Sequence, residues 1–137
     1  MQTFLPYRSF EKSARCLDTK RLGKQRVETL QILNSLAGKS KGWQNHPALA
    51  MWRGHESVLI DYGVAVCLEW LRRGYKDTCL AKIEAFRDIF PHAPNPKWLG
   101  RRDFHRSHQS NLLRKSPEHY SKYFNVPSDL EYRWPTA

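Results

Sequence analysis

The amino-acid sequence predicts an all-α protein, a compact single-domain bundle of four to six helices covering residues 1–137. Three observations support this prediction. Apolar residues recur at helical spacing in several segments, no segment has the two-residue alternation of a β-strand, and glycines and prolines separate the periodic segments. A chain of 137 residues, 40% of them hydrophobic, is long enough to bury one core but not two independent ones.

The first helix is predicted to begin after Ser9, which can cap a helix N-terminus. It runs to Leu36, with a bend expected near Gly23, and Gly38 ends it. A polar loop follows and leads to Pro47, a residue favoured in the first turn of a helix.

The second predicted helix starts at Pro47 and ends at Arg73, before Gly74. It is the most apolar segment of the chain, and we expect it to be the central core helix. Its apolar residues recur at helical spacing: Leu49, Trp52, Leu59, Tyr62, Val66 and Trp70.

The C-terminal half is predicted to hold three shorter helices. One runs from about Asp77 to Phe90, and a loop with three prolines follows it. A second runs from about Arg102 to Lys115, and a third begins after Ser116 with a proline in its first turn. The rest is an irregular tail rich in aromatic residues.

Cysteine usage and hydropathy indicate a cytoplasmic protein. Cys16, Cys67 and Cys79 are odd in number and form no C-x-x-C pair, so we expect reduced thiols instead of disulfides or a zinc site. The N-terminus does not have the pattern of a signal peptide, and no segment approaches 18 uninterrupted apolar residues. We expect a monomer with no membrane span, no cofactor and no metal.

The charge balance points to a polyanionic partner. The chain carries a formal net charge of +10 and has a pI of about 9.8. A small, folded, strongly basic domain of this kind most often binds nucleic acid, although a basic protein without such a partner is the simpler alternative.

One carboxylate stands out in the basic stretch "KRLGKQRVETLQIL", residues 20–33. On a helical wheel, one side holds Leu22, Val27, Leu30 and Leu33, and the other holds Arg21, Lys24, Glu28, Gln31 and Ser35. An exposed Lys24–Glu28 ion pair, worth about 0.3–0.5 kcal/mol, would explain Glu28 simply. Alternatively, the cations bind phosphates and Glu28 stabilises positive charge that develops on a sugar carbon.

A second basic cluster spans residues 97–115 and includes His105 and His108. An H-x-x-H pair can form half of a metal site, but the few accompanying acids and cysteines favour surface or phosphate-contacting histidines. Four aromatic residues near the C-terminus are each either a stacking platform for an unpaired base or a core residue: Tyr120, Tyr123, Tyr132 and Trp134. In the loop before Pro47, the residues placed for anion contact are Trp43, Asn45 and His46.

Several segments, in this order and spacing, resemble the phage endonuclease V, or pyrimidine-dimer DNA glycosylase, family and its bacterial relatives. They are "LDTKRLGKQRVETLQIL", "KGWQNHP", "CLEWLRRGYKDT" with "GHESVLIDYG" before it, and "KSPEHYSKYF". The resemblance covers most of the chain and implies a small, basic, all-helical DNA-repair enzyme. Such an enzyme displaces a base from the stack and cuts its glycosidic bond.

The resemblance also implies site residues. The nucleophile would be the α-amine of Met1, since an α-amine has a pKa of about 7.7–8.0 and is partly neutral at pH 7. Glu28 would be the catalytic acid/base and promote the β-elimination that nicks the strand. The residues expected to flank the lesion are Arg21, Lys24, Gln25 and Arg26. The residues expected to hold the strand are Arg114, Lys115 and Tyr120, and we add Asn45, His46, His105 and His108 as DNA contacts.

The N-terminus departs from the phage pattern, because Gln2 is too large for efficient removal of the initiator methionine. Either the Met1 amine attacks, or Lys20 replaces it, or the lyase step is lost and Glu28 activates water. Another damaged or modified pyrimidine is then an alternative substrate. Two other classes stay open: a non-catalytic nucleic-acid-binding module, and a helical partner protein of the toxin–antitoxin type.

Overall fold

The computed structural model describes residues 1–42 and 44–135. These residues contain seven α-helices, one short 3-10 helix at Phe86–Asp88 and no strand. The α-helices are α1 (Phe10–Cys16), α2 (Thr19–Leu36), α3 (Pro47–Ala50), α4 (Glu56–Arg72), α5 (Leu80–Ala85), α6 (Arg102–Lys115) and α7 (Pro117–Tyr120). The all-α prediction is confirmed, and the described part has one helix more than the predicted range.

The predicted first helix is two helices that break at Leu17 and Asp18, not at Gly23. Leu17 is extended and buried, with ψ at 138°. The Asp18 carboxylate caps α2 by accepting a hydrogen bond from the backbone N–H of Arg21. An aspartate that bonds backbone groups in this way favours a helix start over a helix interior. Gly23 lies inside α2, where a Cβ atom would come within 3.0 Å of the Trp70 ring.

The predicted second helix is also divided, into α3 and α4. Gly54 has φ of +88°, a left-handed conformation that favours glycine and ends the first segment. Trp52 lies in the intervening turn but is fully buried, which explains why the apolar periodicity continues across the break. The third predicted helix begins later than expected, because the Asp77 carboxylate accepts from the N–H groups of Cys79 and Leu80 before α5.

Helix α4 packs against α1, α2 and α5, and its inward residues form the centre of the core. Val58, Leu59, Ile60, Tyr62 and Val66 are all buried. The three cysteines are free and buried, as expected for reduced thiols. Burial raises the pKa of Cys16 and Cys67 to about 12, so neither is a ready thiolate nucleophile.

The first five residues form an extended segment that side chains of the core hold in place. The N–H of Phe4 donates to Gln25 Oε1 at 2.9 Å, and the Tyr62 hydroxyl donates to the Phe4 carbonyl at 2.8 Å. Trp52 Nε1 donates to Thr3 Oγ1 at 3.1 Å. The N-terminus is therefore fixed against α2, whereas most chain termini are loosely held.

Two buried histidines of α6 bind the backbone of Leu5. Its N–H donates to His108 Nδ1 at 3.0 Å, and its carbonyl lies 2.8 Å from His105 Nδ1. His105 Nε2 accepts from the N–H of Gly100 at 2.9 Å, so Nδ1 carries the proton. These contacts require both imidazoles to be neutral.

This arrangement predicts that acid destabilises the fold between pH 6.5 and pH 4.5. Burial lowers the pKa of His108 to about 3, and burial also lowers the pKa of His105. The unfolded state then binds more protons than the folded state, so the free energy of unfolding falls as pH falls. His108 alone contributes a slope of up to about 1.4 kcal/mol per pH unit.

Urea unfolding at pH 4.5, 5.5, 6.5 and 7.5 measures this slope. His108→Asn, which keeps an acceptor for the Leu5 N–H, should reduce it, and His92→Asn, at an exposed histidine, should not. A free energy of unfolding that stays constant from pH 6.5 to pH 4.5 would contradict the prediction.

Candidate active site

Glu28 lies in a cleft of about 290 Å³ between the N-terminal segment, α2 and the end of α6. We call it the Glu28 cleft. Its lining residues are Gln2, Phe4, Lys20, Arg21, Lys24, Gln25, Glu28 and Lys115. Four of these residues are cations and one is a carboxylate. Such a cleft attracts phosphate groups and presents a single carboxylate to the molecule that bears those phosphates.

Hydrogen bonds with the N-terminal segment fix the Glu28 carboxylate. Its Oε2 accepts from the backbone N–H of Gln2 at 3.1 Å and from Gln25 Nε2 at 3.3 Å. Gln25 Nε2 also donates to the Gln2 carbonyl at 3.0 Å. Among the described residues, no cation forms an ion pair with Glu28 within 4.0 Å, so the interpretation of a Lys24–Glu28 pair is wrong.

The buried face of α2 differs from the helical-wheel prediction. Leu22 and Leu33 are buried as expected, but Val27 is 44% exposed and Ser35 is buried. The reason is that Gln25 forms hydrogen bonds with the N-terminal segment and with Tyr62. These bonds turn a polar side of α2 toward the protein interior. The hydroxyl of Tyr62 donates to Gln25 Oε1 at 2.6 Å.

The structure brings only part of the predicted DNA-contacting set to this cleft. Lys24 and Lys115 are exposed at the rim of the cleft. Arg21 also lines the cleft, and its Nη1 forms an ion pair with Asp18 Oδ1 at 3.2 Å. Arg26 lies elsewhere, since it pairs with Asp77 at 2.6 Å and stacks on the Trp70 ring at 4.3 Å.

Arg114 is exposed but holds the C-terminal tail. Its Nη1 donates to the carbonyls of Ser128 at 2.6 Å and Leu130 at 3.1 Å. The tail therefore folds back along α6, and Arg114 positions it from the last turn of that helix.

Four residues predicted to contact DNA are buried, which makes the surface position expected for the two histidines wrong and places Tyr120 in the core, the alternative that the sequence left open. They are Gln25, His105, His108 and Tyr120. Gln25, His105 and His108 form hydrogen bonds with the backbone of the N-terminal segment. The Tyr120 hydroxyl donates to the Asp18 carboxylate and accepts from the Asp18 N–H, so it links α7 to the start of α2. These side chains build the site without lining its surface, apart from the edge of Gln25.

The loop before α3 approaches the N-terminus through His46. Its Nδ1 accepts from the N–H of Ala48 at 3.0 Å and caps α3, and its ring lies 5.8 Å from that of Trp134. Burial and the positive charge of the Met1 amine lower the pKa of His46, which places that amine nearby. Asn45 is exposed, and Trp43 lies outside the described residues.

Tyr132, which the sequence left between a stacking platform and a core residue, packs against His108 of α6. Its ring lies 4.6 Å from His108, and its hydroxyl is buried without a hydrogen-bond partner among the described residues. Burial, together with the nearby charge of Glu28, raises the pKa of Tyr132. The signal in the sequence was the crowding of aromatic residues near the C-terminus, Tyr132 and Trp134 among them.

Within residues 1–42 and 44–135, no helix combines the length and the apolar character needed to cross a membrane.

Residues 1–83 match a family model described as pyrimidine dimer DNA glycosylase. Comparison with curated proteins and with solved structures gives no match. The matched region contains the N-terminal segment, α1 to α4 and Glu28, whereas α6, α7 and the tail lie beyond it. The match spans more than half of the 137 residues and agrees with the resemblance found in the sequence. The chain therefore belongs to the pyrimidine dimer DNA glycosylase family.

Proposed function

We propose that this protein excises a damaged pyrimidine from DNA, a pyrimidine dimer by family, and then nicks the strand. The α-amine of Met1 is the nucleophile and Glu28 is the acid/base. The observation that carries the proposal is the 3.1 Å hydrogen bond from the Gln2 N–H to Glu28 Oε2. It holds the residue next to the amine against the one carboxylate of a cationic cleft.

The reaction begins when the neutral amine attacks C1′ of the sugar. The C1′–N bond breaks, and the base leaves with the electron pair and takes a proton from water. The Glu28 carboxylate accepts the proton released by the new C1′ ammonium and passes it to O4′ as the C1′–O4′ bond breaks. A protonated Schiff base remains between Met1 and C1′.

The same carboxylate serves the second step. The iminium acidifies the C2′ protons, and Glu28 removes one of them. The C3′–O bond then breaks, and the 3′ phosphate departs with the electron pair. This β-elimination nicks the strand, and hydrolysis of the imine regenerates the amine.

The geometry supports these roles. No ion pair joins the Met1 amine to Glu28 within 4.0 Å in the described chain, so the amine does not neutralise this carboxylate. The donors from Gln2 and Gln25 orient the carboxylate before substrate binds. Lys20, Lys24 and Lys115 are exposed at the cleft and suited to the phosphates on either side of the lesion.

Borohydride trapping on UV-irradiated plasmid DNA tests the proposal. The wild-type protein, with its first residue identified as Met1 by intact mass, should give a covalent protein–DNA adduct and nicked DNA. A short extension before Met1 should abolish the adduct because its own α-amine lies away from C1′. Proteolytic removal of that extension should restore the adduct.

Two results would contradict a Met1 nucleophile. A full adduct yield from the extended protein would transfer the role to a lysine, and Lys20→Ala would then identify it. Cleavage of the glycosidic bond without any adduct would indicate that Glu28 activates water. If no glycosidic bond of a damaged pyrimidine is cut at all, the protein is a binding module and the proposed function is wrong.

A further inference from the structure

A second cationic cleft lies on the loop between the 3-10 helix and α6. Its volume is about 610 Å³. We call it the loop cleft. Buried Trp98 and Met51 form its floor, and exposed Arg53, Lys97 and Arg101 stand around it. Lys97 and Arg101 lie outside the region that matches the family model.

The three cations of the loop cleft have no carboxylate partner among the described residues. Arg53 donates to the carbonyl of Gln44 at 3.1 Å, which orients the guanidinium without neutralising it. The nearest acids along the chain are engaged elsewhere. Asp103 pairs with Arg133 at 3.7 Å, and Glu56 accepts from the N–H of Gly54 at 3.0 Å.

Three other arginines of the protein are used differently. Arg26, Arg73 and Arg87 each pair with an aspartate or a glutamate within 4.0 Å. The loop cleft therefore concentrates charge that the fold leaves available to an external anion. Its lining residues include no aspartate or glutamate.

Hydrogen bonds hold the walls of the loop cleft in position. Trp98 Nε1 donates to the Met51 carbonyl at 3.2 Å, and His55 Nδ1 lies 2.8 Å from the Pro94 carbonyl. The N–H of Ala93 donates to Ser57 Oγ at 2.8 Å. A cleft built in this way is formed before the ligand arrives, which reduces the entropy lost on binding.

The C-terminal tail connects the loop cleft to the active site. Pro135 lines the loop cleft, and the adjacent Trp134 contacts His46, which lies near the Met1 amine. A duplex has one phosphate charge for about every 1.7 Å of its axis, so a strand held at the Glu28 cleft continues past neighbouring surfaces. The loop cleft, connected to the active site through the tail, presents to such a strand three cations without a carboxylate partner among the described residues.

We propose that the loop cleft binds the phosphodiester backbone of the same DNA, beyond the nucleotides held at Glu28, through Arg53, Lys97 and Arg101. This inference rests on the proposed function. The cations supply charge and the apolar floor excludes water from the contact. Since a backbone contact reads no sequence, the cleft adds affinity and positions the duplex.

Salt-dependent binding to a fluorescent duplex measures this contribution. Each lost phosphate contact should reduce the slope of log K against log salt concentration by about 0.9, so Arg53→Ala/Lys97→Ala/Arg101→Ala should reduce it by about 2.7. The matched control removes three exposed cations that line neither cleft, Arg15→Ala/Lys76→Ala/Lys82→Ala. This control should change the slope by less than about 0.9, the value expected for one phosphate contact. Circular dichroism verifies folding, and Lys97→Ala/Arg101→Ala replaces the triple variant if that variant is unfolded.

The outcomes separate this inference from the proposed function. If the wild type cuts the glycosidic bond of the damaged base but the loop-cleft variant keeps the control's slope, the inference is wrong and the proposed function stands. If the slope falls as expected but no substrate is processed, the cleft binds DNA and the proposed chemistry is wrong. If the wild type binds no DNA, both are wrong.

Discussion

Glu28→Gln is expected to lower the rate of glycosidic-bond cleavage by at least about 100-fold while DNA affinity stays equal or rises. A positioned acid/base contributes about 10²–10⁴ to a rate, and a glutamine amide neither accepts the proton from the C1′ nitrogen nor removes one from C2′. Its carbonyl oxygen can still accept from the Gln2 N–H, so the cleft keeps its shape. Removing a negative charge beside the four cations relieves repulsion of phosphate.

Single-turnover cleavage of the glycosidic bond and duplex binding by fluorescence anisotropy measure the two effects separately. Glu84→Gln is the matched control, since it removes one carboxylate from an exposed ion pair on α5. It should change both quantities by less than about twofold. If Glu28→Gln loses affinity together with activity, the carboxylate has a structural role and the catalytic assignment is wrong.

The fold prediction depended on the helical spacing of apolar residues, because that spacing indicates which side of a helix packs against the core. It identified the apolar face of α4 and the bounds of α6, which the structure confirms. It did not find the breaks at Asp18 and Gly54, because each break keeps the apolar residues on both sides buried. Only the capping aspartate and a glycine with positive φ mark them, and both residue types also occur inside helices.

The site was predicted less completely for a different physical reason. Glu28 was found because one acid among cations is visible in the sequence. The buried polar residues Gln25, His105 and His108 were assigned to the surface, since burial of a polar side chain depends on its partner. Their partners are backbone groups of an N-terminal segment that has no periodicity and lies 21 to 103 residues away along the chain.

Gln25→Ala tests whether these buried contacts position the catalytic groups. The change leaves the N–H of Phe4 buried without an acceptor, which costs about 1–3 kcal/mol of unfolding free energy. It also removes the donor that joins Glu28 Oε2 to the Gln2 carbonyl. We therefore expect a less stable protein in which the borohydride adduct falls at least about tenfold at temperatures where the fold persists, although Met1 and Glu28 are unchanged.

Gln31→Ala is the matched control, because Gln31 is an exposed glutamine on the same helix. It should change the free energy of unfolding by less than about 0.5 kcal/mol and leave the adduct yield unchanged. Urea unfolding and borohydride trapping of both variants provide the comparison. Equal stability of the two variants would show that Phe4 finds another acceptor. A normal adduct yield from a destabilised Gln25→Ala would show that the amine reaches C1′ without the Gln25 contacts, and the role of Gln25 would then be limited to folding.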